Sequence, residues 1–381
     1  MAQAGAKRQF GDTGSIELKA YGWWVDNDLV GRLQLPSGVV QRDLYSKQDR
    51  VGLQAIYRDS LPKWRTEWAL ALATERLNVR DVHVVLRTLA GKLISDTLNA
   101  ATGASRRIHS ATLELNSRIG RDWRTVYGGR LDEYSDFGRQ MSPRLGLIYQ
   151  PNDDEALKLL YGQAFRAPSA AERNGTVNTV LGNPGLRPEV IDSLEMVAIR
   201  QHSNLRWQGT VFKNLWRDGI AIVFRPDIRI NQFQNLERNK SHGVSSSVTW
   251  IYENWQVDAG GAWVASRNAR TGATYNIYPV RSANASVTRK LFNGNARIGV
   301  GLRWMNGFDD IPRGDVFAPS RLPSYMRMDL SYSHTVTKAL ALTATVRNLM
   351  DRDSRLPSPL GSVGGIPDER INASIRATWR F

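Results

Sequence analysis

The sequence predicts an all-β protein, and more narrowly a transmembrane antiparallel β-barrel that forms a single domain over residues 1–381. Three observations predict this fold class. Apolar and polar residues alternate with a period of two along most of the chain. Many alternating segments approach the ~9–11 residues that a tilted strand needs to cross a bilayer. Short and long connections alternate between the segments, as in outer-membrane barrels.

The alternation is clearest at the C-terminal end of the chain. One face of that segment is apolar and consists of Ile371, Ala373, Ile375, Ala377, Trp379 and Phe381. Trp and Tyr residues lie near the ends of such segments, where aromatic girdles meet the two membrane interfaces. A soluble two-sheet sandwich also alternates, but typical globular strands have only ~5–6 residues. The segment lengths therefore favour the membrane barrel.

The connections predict about sixteen strands, an even number that suits a bacterial barrel. Short turns are expected near residues 60–63, 120–122, 151–154, 202–204, 253–254, 293–295 and 335–338. Long loops are expected near residues 26–46, 78–104, 167–187, 225–234, 267–276, 306–322 and 350–369. A connection of intermediate length at 135–140 falls where the alternation would require a long loop. Residues 187–200 also have helical spacing of apolar residues, but the alternation of the loops favours a strand there.

The composition excludes several classes of protein. The net charge of +15 first suggests nucleic acid, but no zinc-finger spacing, RNA-binding signature or basic helix is present. We therefore expect no nucleic-acid partner, and we expect the charge to line a polar lumen or to face anionic lipid phosphates. The absence of cysteine excludes disulfides and cysteine metal sites. Residues 1–10 are polar and lack a signal-peptide core, which predicts that the chain is a fragment or lacks its start.

No motif for catalysis or metal binding is present. The sequence lacks a phosphate-binding Gly loop, His-Glu-x-x-His and Gly-x-Ser-x-Gly. Its five histidines are far apart and lack ligand spacing: His83, His109, His202, His242 and His334. We therefore predict a protein that is not an enzyme and that has no resident cofactor and no metal site.

Five stretches carry a family resemblance. The first stretch is Ser142 to Glu172, and its paired strands end in Phe165, Arg166, Ala167 and Pro168. The second stretch is Gly182 to Glu189. It contains Asn183, Pro184 and Leu186 and ends with Pro188 and Glu189. The third is Asn235 to Val244; the fourth, Val346 to Asp353, contains Asn348, Leu349 and Asp351; the fifth is the last strand, which closes on Phe381. In this order they resemble the sequence boxes of the TonB-dependent outer-membrane receptor family. Glu195 stands in the place of the family's later Glu, and Met350 replaces a Phe.

The resemblance implies a location and a set of partners. It implies the outer membrane of a Gram-negative cell, with outer-membrane lipid, the barrel assembly machinery, the TonB complex and a metal chelate as partners. Family members have a plug domain and a barrel of 22 strands. With about sixteen strands and no plug, this chain is expected to be a truncated copy whose barrel could be open or incomplete and whose TonB-contacting segment is missing. The boxes themselves are interpreted as structural turns at the barrel rim.

The implied function is TonB-energised uptake of a ferric siderophore or a similar metal chelate. Haem is disfavoured, because the loop of residues 169–182 lacks the histidine that haem receptors of this family carry there. Arg173 and Arg187 in the outward loop could attract an anionic chelate, although solvated loop charges are the more ordinary interpretation. A passive sixteen-stranded porin is the alternative function, and a soluble all-β binding protein is a third.

Overall fold

A computed structural model describes residues 1–35, 38–177, 180–275, 278–309, 321–356 and 365–380. Within these ranges the chain forms twenty-four strands and one α-helix. The elements are β1 (Ala2–Phe10), β2 (Gly14–Leu35), β3 (Gly38–Leu61), β4 (Thr66–Arg87), β5 (Leu93–Leu98), β6 (Ser105–Ile119), β7 (Trp123–Tyr134), β8 (Gly138–Tyr149), β9 (Glu155–Arg166), α1 (Ala170–Asn174), β10 (Thr176–Val177), β11 (Val180–Leu181), β12 (Glu189–His202), β13 (Leu205–Arg225), β14 (Ile230–Tyr252), β15 (Trp255–Asn268), β16 (Arg281–Leu291), β17 (Ala296–Met305), β18 (Phe308–Asp309), β19 (Arg321–Leu322), β20 (Tyr325–Thr335), β21 (Leu340–Arg347), β22 (Arg355–Leu356), β23 (Ile366–Pro367) and β24 (Asn372–Trp379). None of the described helical segments has the length and apolar character that crossing a membrane requires.

Twenty of the strands belong to one sheet, which confirms the all-β prediction and shows that the count of about sixteen was wrong. Three of the twenty (β5, β10 and β11) are short strands inside long connections. The remaining difference is β1, which the sequence did not reveal because its small and charged residues have little strand preference. It is held by nine paired positions with β2, from Ala2↔Gly22 to Phe10↔Gly14.

The pairing is almost entirely antiparallel. The one parallel pairing in the described residues joins β11 to β14 over two positions, Val180↔Asn231 and Leu181↔Gln232. Within unit 1, β1 pairs with β2, and within unit 2, β24 pairs with β21.

Every predicted short turn coincides with a break between consecutive strands of the sheet. Left-handed backbone conformations close several of them, with φ of 47° at Arg65, 50° at Glu253 and 53° at Asn293. The segment 187–200 is a strand, β12, as the alternation of the loops predicted.

Two predicted long loops are wrong, because they are extended strands. β2 and β3 stay in register from Ser15↔Arg58 up to Leu35↔Gly38, across the expected loop 26–46. Likewise, β4 continues to Arg87 and pairs there with β5, inside the expected loop 78–104. Each extension satisfies its main-chain hydrogen bonds through its neighbour, so polar side chains do not prevent strand formation there.

The chain divides into two compact units. Unit 1 comprises residues 1–147, 160–193 and 215–238, and unit 2 comprises residues 148–159, 194–214 and 239–381. In unit 1 the side chains of β1–β4, β6 and β7 alternate between two faces, which we call the polar face and the apolar face. On the polar face, Tyr21 and Arg50 hydrogen-bond to the Glu75 carboxylate.

The apolar face of unit 1 carries exposed aliphatic side chains. Its members on β2–β4, β6 and β7 include Leu18, Val51, Leu53, Leu72, Leu113 and Leu131, each between 42% and 59% exposed. A continuous apolar surface of this extent marks a contact with apolar surroundings. The two faces of these strands therefore differ in chemistry, because one face is apolar and the other carries polar and charged side chains.

Unit 2 shows the same alternation in β15–β17, β20, β21 and β24. The pairings Val287↔Val300, Val300↔Leu330, Leu330↔Val346 and Val346↔Ala373 join five aliphatic residues in one row across the strands. The opposite face carries small and polar residues, including Gly301 and Asp329, which are directly paired.

Candidate functional site

The connection between β9 and β12, residues 167–188, is the longest connection in unit 1, and we call it the rim loop. It is organised by α1, whose first turn is a capping box. The Ser169 hydroxyl accepts from the Glu172 main-chain N–H at 3.1 Å, and the Glu172 carboxylate accepts from the Ser169 N–H at 2.7 Å. The spacing Ser-x-x-Glu is a sequence signal for this helix start, and it was missed.

Arg166 joins the first two sequence boxes. Its guanidinium donates to both carboxylate oxygens of Glu172, at 2.9 and 3.1 Å, and to the carboxylate of Glu189. Glu189 is buried and also accepts from the main-chain N–H of Ile220 at 2.7 Å. The end of β9, the helix of the rim loop and the start of β12 are therefore joined through one side chain.

Arg173, in the helix of the rim loop, is buried rather than solvated, with 8% of its surface exposed. Its guanidinium donates to the carbonyl oxygens of Leu186 at 2.8 Å and Asp136 at 2.7 Å, and it pairs with the Asp136 carboxylate at 3.4 Å. These contacts tie the rim loop to the β7–β8 turn. A guanidinium held in this way is a structural anchor. The geometry therefore favours neither contact with an anionic chelate nor a solvated loop charge, the two interpretations that the sequence left open for Arg173.

Arg106 completes this anchor from β6, and sequence reasoning did not find it. It donates to the Asp136 carboxylate, with a shortest distance of 2.6 Å, and to the Pro168 carbonyl at 2.7 Å. Its guanidinium lies 5.4 Å from the ring centroid of Phe137, which stacks on Tyr134. Phe165 of the first box meets the Tyr134 ring edge-on at 5.8 Å. Arg106 and Asp136 lie outside the boxes, and only the fold brings them to Pro168 and Arg173.

The second box shapes the return of the rim loop. The Asn183 side chain accepts from the Gly185 N–H at 2.9 Å, an Asx turn, and donates to the Phe233 carbonyl at 3.0 Å. Leu186 is 1% exposed and fills the space beneath the turn, whereas Pro184 is exposed.

Two prolines bracket the rim loop. Pro168 is fully buried and Pro188 is half-buried, and they lie just after β9 and just before β12. A proline cannot donate to a strand ladder, so both positions end pairing. Ala167, between β9 and Pro168, is half-buried.

Asn235, the first residue of the third box, fastens the rim loop to β14. Its side chain accepts from the Arg187 N–H at 2.8 Å and donates to the carbonyls of Arg187 and Asp218, at 2.9 and 2.7 Å. The Arg187 guanidinium is exposed and pairs with the Asp218 carboxylate at 2.5 Å. Arg187 is thus the ligand-loop candidate that stays at the surface.

The fourth box forms a separate turn in unit 2. Asn348 is 2% exposed, with φ of 49°, and its side chain bonds to Arg352 N and O and to the Glu369 carbonyl at 2.9–3.1 Å. The Arg370 guanidinium binds Asp351 at 2.7 and 2.8 Å and holds the pKa of that carboxyl well below its ordinary value. The Leu349 N–H donates to the Met328 carbonyl at 2.7 Å. Phe381, the predicted closing residue, lies outside the described residues.

The chemistry of these contacts is that of anchoring and recognition. In the described ranges, no three His, Cys, Asp or Glu side chains are placed to hold a metal ion. The rim loop presents Arg166 and Arg187 at least partly to solvent, while its buried groups are engaged in hydrogen bonds. Such an arrangement can present a loop to a ligand, but it offers no nucleophile and base pair for bond chemistry.

The rim loop should respond to acid through Glu172. Burial raises the pKa of the Glu172 carboxyl, but the hydrogen bonds from Arg166 and Ser169 outweigh it, and the net pKa is below the ordinary value. A lowered native pKa stabilises the fold above the unfolded value of about 4.3, and this stabilisation is lost as the pH falls through the native pKa. The protection of residues 169–177 against hydrogen exchange, corrected for the pH-dependent intrinsic rate, should therefore be constant from about pH 7 to 5 and should fall below about pH 4.

A Glu172→Gln variant is the control for this pH dependence. It lacks the titrating group, so its exchange should be faster at neutral pH and should show no additional step in acid once intrinsic exchange is corrected. An identical acid step in the wild type and in E172Q would rule out Glu172 as the group responsible.

The fold and its rim loop define a class of protein, namely large antiparallel β-sheets in which short turns alternate with longer connections along the chain. Residues 1–349 match the family described as "TonB dependent receptor-like, beta-barrel". This chain belongs to that family, as its sequence boxes predicted. The family is one of transport receptors, which agrees with the prediction that the chain is not an enzyme.

Two curated relatives illustrate the relationship. The iron-regulated outer membrane virulence protein of Vibrio cholerae serotype O1 is 23% identical over 286 residues, which are 68% of this chain and 43% of that protein. The heme/hemopexin utilization protein C of Haemophilus influenzae is 21% identical over 281 residues, 65% of this chain and 38% of that protein. The chain therefore spans less than half the length of these relatives.

Solved structures show the same fold. The pyoverdine outer membrane receptor FpvA of Pseudomonas aeruginosa PAO1 superposes with a TM-score of 0.80 at 12% identity, covering 100% of this chain and 61% of that one. The copper transporter OprC superposes with a TM-score of 0.77 at 15% identity, covering 99% and 64%. At such low identity the likeness concerns the fold alone.

Proposed function

We propose that this chain is barrel sequence of an outer-membrane receptor that takes up a ferric siderophore or a similar metal chelate with energy from the TonB complex. The observation that carries the proposal is the rim loop. It is long, lies at the end of unit 1 that carries the long connections, and is fixed there by the buried Arg173. A fixed loop loses little conformational freedom when it binds a ligand, which favours affinity. The names of the Vibrio cholerae and Pseudomonas aeruginosa proteins, one iron-regulated and one a pyoverdine receptor, support a ferric ligand.

The two faces of the strands support a membrane barrel within this proposal. The apolar face contacts lipid and the polar face lines an enclosed lumen, in one barrel domain over residues 1–381. β2 and β3 have 22 and 24 residues, whereas about 9–11 are enough to cross a bilayer. Their upper halves therefore extend beyond the outer surface, on the same side as the rim loop.

The ligand class follows from the charge of the loop. Arg187 is exposed at its edge and is the residue we propose for contact with an anionic chelate, whereas Arg173 holds the loop in place. A ferric chelate is favoured over haem because residues 169–182 include no histidine. The TonB complex and the barrel assembly machinery, the latter through Phe381, are proposed partners on the basis of the family.

The comparisons do not favour the passive porin, because residues 1–349 match a family of TonB-dependent receptors. The prediction of a truncated copy stays a prediction, and the coding sequence directly upstream of residue 1 tests it.

Uptake of radioactive iron tests the function. The complete gene would be expressed in a Gram-negative host that lacks its own siderophore receptors, and cells would be given ⁵⁵Fe-loaded catecholate and hydroxamate chelates. We expect at least one chelate to be taken up, and uptake to fall to background when the TonB gene is deleted. Uptake that persists without TonB would support a passive pore instead.

An Arg187→Glu variant should take up an anionic chelate at least about tenfold more slowly at sub-saturating concentration, through the reversed charge.

A further inference from the structure

Three arginines lie together on the polar face of unit 1, at the end where its strands join in short turns. Arg65 lies in the β3–β4 turn, Arg118 is the next-to-last residue of β6, and Arg124 is the second residue of β7. They line one pocket with a volume of about 410 Å³, which we call the arginine pocket. The other residues that line it are polar except for a proline: Ser60, Pro62, Thr66, Glu67 and Asn116.

The two strand arginines of this pocket face each other without a protein partner. Arg118 and Arg124 occupy directly paired positions on β6 and β7, and like charges in such positions are destabilising. Neither guanidinium makes a hydrogen bond or an ion pair within the described ranges. The Arg65 guanidinium donates to a neutral group, the Gly120 carbonyl, at 3.1 Å. The pocket therefore holds three guanidinium groups that no carboxylate binds.

One carboxylate lines the same pocket but does not neutralise it. Glu67 is paired with Asn116 across β4 and β6, and it forms no ion pair in the described part of the chain. Three arginines and one glutamate give the lining a formal charge of +2. Other cations on the polar face differ, because Lys19 and Arg58 both bind the Glu17 carboxylate, at 2.9 and 3.2 Å. The arginine pocket is thus open to an anion from outside the chain.

The arginine pocket lies far from the rim loop, at the other end of β7. This strand begins at the pocket and ends next to Asp136, whose carboxylate pairs with Arg173 of the rim loop at 3.4 Å. Its 12 residues span about 40 Å at about 3.3 Å each. In the orientation given under the proposed function, the polar face lines the lumen and the rim loop lies on the outer side. The pocket is then at the opposite mouth of the lumen, where a transported ligand leaves.

We propose that the arginine pocket binds anions and that an anionic metal chelate occupies it on leaving the lumen. The identity of that ligand rests on the proposed function. Guanidinium groups bind anionic oxygens through short, charge-assisted hydrogen bonds. A bound anion also offsets the repulsion between Arg118 and Arg124, which no protein group does. Iron(III) complexes of catecholates are anionic, whereas those of simple hydroxamates are neutral, so the pocket should distinguish the two classes.

Calorimetric titration of the full chain in nonionic detergent with citrate, a tricarboxylate probe, tests the anion site. The variants are Arg118→Gln with Arg124→Gln, Arg118→Lys with Arg124→Lys, and Lys19→Gln with Arg58→Gln as the matched control. The control also removes two cations from the polar face, but both are paired with Glu17. The heat-modifiable migration of each variant reports whether it has folded.

The wild type should bind citrate at low ionic strength. R118Q/R124Q should weaken this binding at least about tenfold through the loss of two charge-assisted donors. R118K/R124K keeps the charge and should lose less than the glutamine pair, and K19Q/R58Q should stay within about twofold of the wild type. Unchanged binding in folded R118Q/R124Q, or an equal loss in the control, would overturn the site.

Iron uptake by cells that carry the same variants of the complete gene tests the role in exit. R118Q/R124Q should lower the maximal uptake rate of an anionic catecholate complex at least about threefold at saturating concentration. Binding of that complex to cells on ice, and uptake of a neutral hydroxamate complex, should not change. An unchanged maximal rate, or an equal loss for the neutral complex, would overturn the exit role. If no chelate enters wild-type cells, the receptor proposal fails, whereas citrate binding still decides the anion site.

Discussion

Replacing Arg173 with alanine is expected to release the rim loop and to weaken chelate binding at least about thirtyfold. The change removes the donor to the Leu186 and Asp136 carbonyls and one partner of the Asp136 carboxylate. Each buried polar group left without a partner costs about 1–3 kcal/mol. A loss of about 2 kcal/mol corresponds to about thirtyfold. Hydrogen exchange of residues 169–187 and equilibrium binding of a ferric chelate would measure it.

Arg187→Ala is the matched control for loop order, since it removes an arginine from the same loop whose guanidinium is exposed. Exposed ion pairs contribute about 0–1 kcal/mol, so exchange in the rim loop should change by less than about fivefold. If R173A leaves exchange at residues 169–187 unchanged while its fold is intact, Arg173 does not anchor the loop.

Replacing Asn348 with alanine should destabilise unit 2 by about 3 kcal/mol. The side chain makes three hydrogen bonds at a nearly fully buried position, each with a net contribution of about 0.5–1.5 kcal/mol. Its φ of 49° is left-handed, a conformation that costs alanine about 1–2 kcal/mol. Urea unfolding in detergent micelles, followed by tryptophan fluorescence, measures the change.

An Asn348→Gly variant separates the two contributions. Glycine adopts the left-handed conformation readily, so N348G should lose only the hydrogen bonds, about 2 kcal/mol, and should be more stable than N348A. Equal stability of the two variants would show that the backbone conformation does not matter here. Wild-type stability in both would show that the Asn348 contacts contribute nothing.

The strand pattern was largely predictable, and its errors have a physical cause. The alternation of short and long connections identified β12 as a strand despite its helical spacing, and most of the short turns fell where Gly, Asn and Asp residues indicated them. The extensions of β2, β3 and β4 were mistaken for loops because Asp, Asn and Gly residues interrupt their apolar residues. In an antiparallel pair the main-chain hydrogen bonds alone can hold such a segment, and the local sequence does not determine which strand is the partner.

The candidate site was predicted only in part. The boxes around Arg166, Asn183 and Glu189 were found, but their mutual contacts were not. Arg106 and Asp136 went unnoticed because neither belongs to a box: Arg106 lies on β6 and Asp136 lies in the turn between β7 and β8. Arg173 was placed in solvent, since nothing local distinguishes a buried arginine from an exposed one.

The sequence by itself determined the fold class, the two faces of the strands, the short turns and the family, because these depend on side-chain periodicity and on turn residues adjacent in the chain. Only the tertiary structure decided which charges are buried and which meet across strands. Burial and charge pairing depend on registers such as Arg76↔Arg107, which join residues about thirty positions apart. No local pattern fixes such a distance, so the anchor of the rim loop became visible only once the strands were aligned.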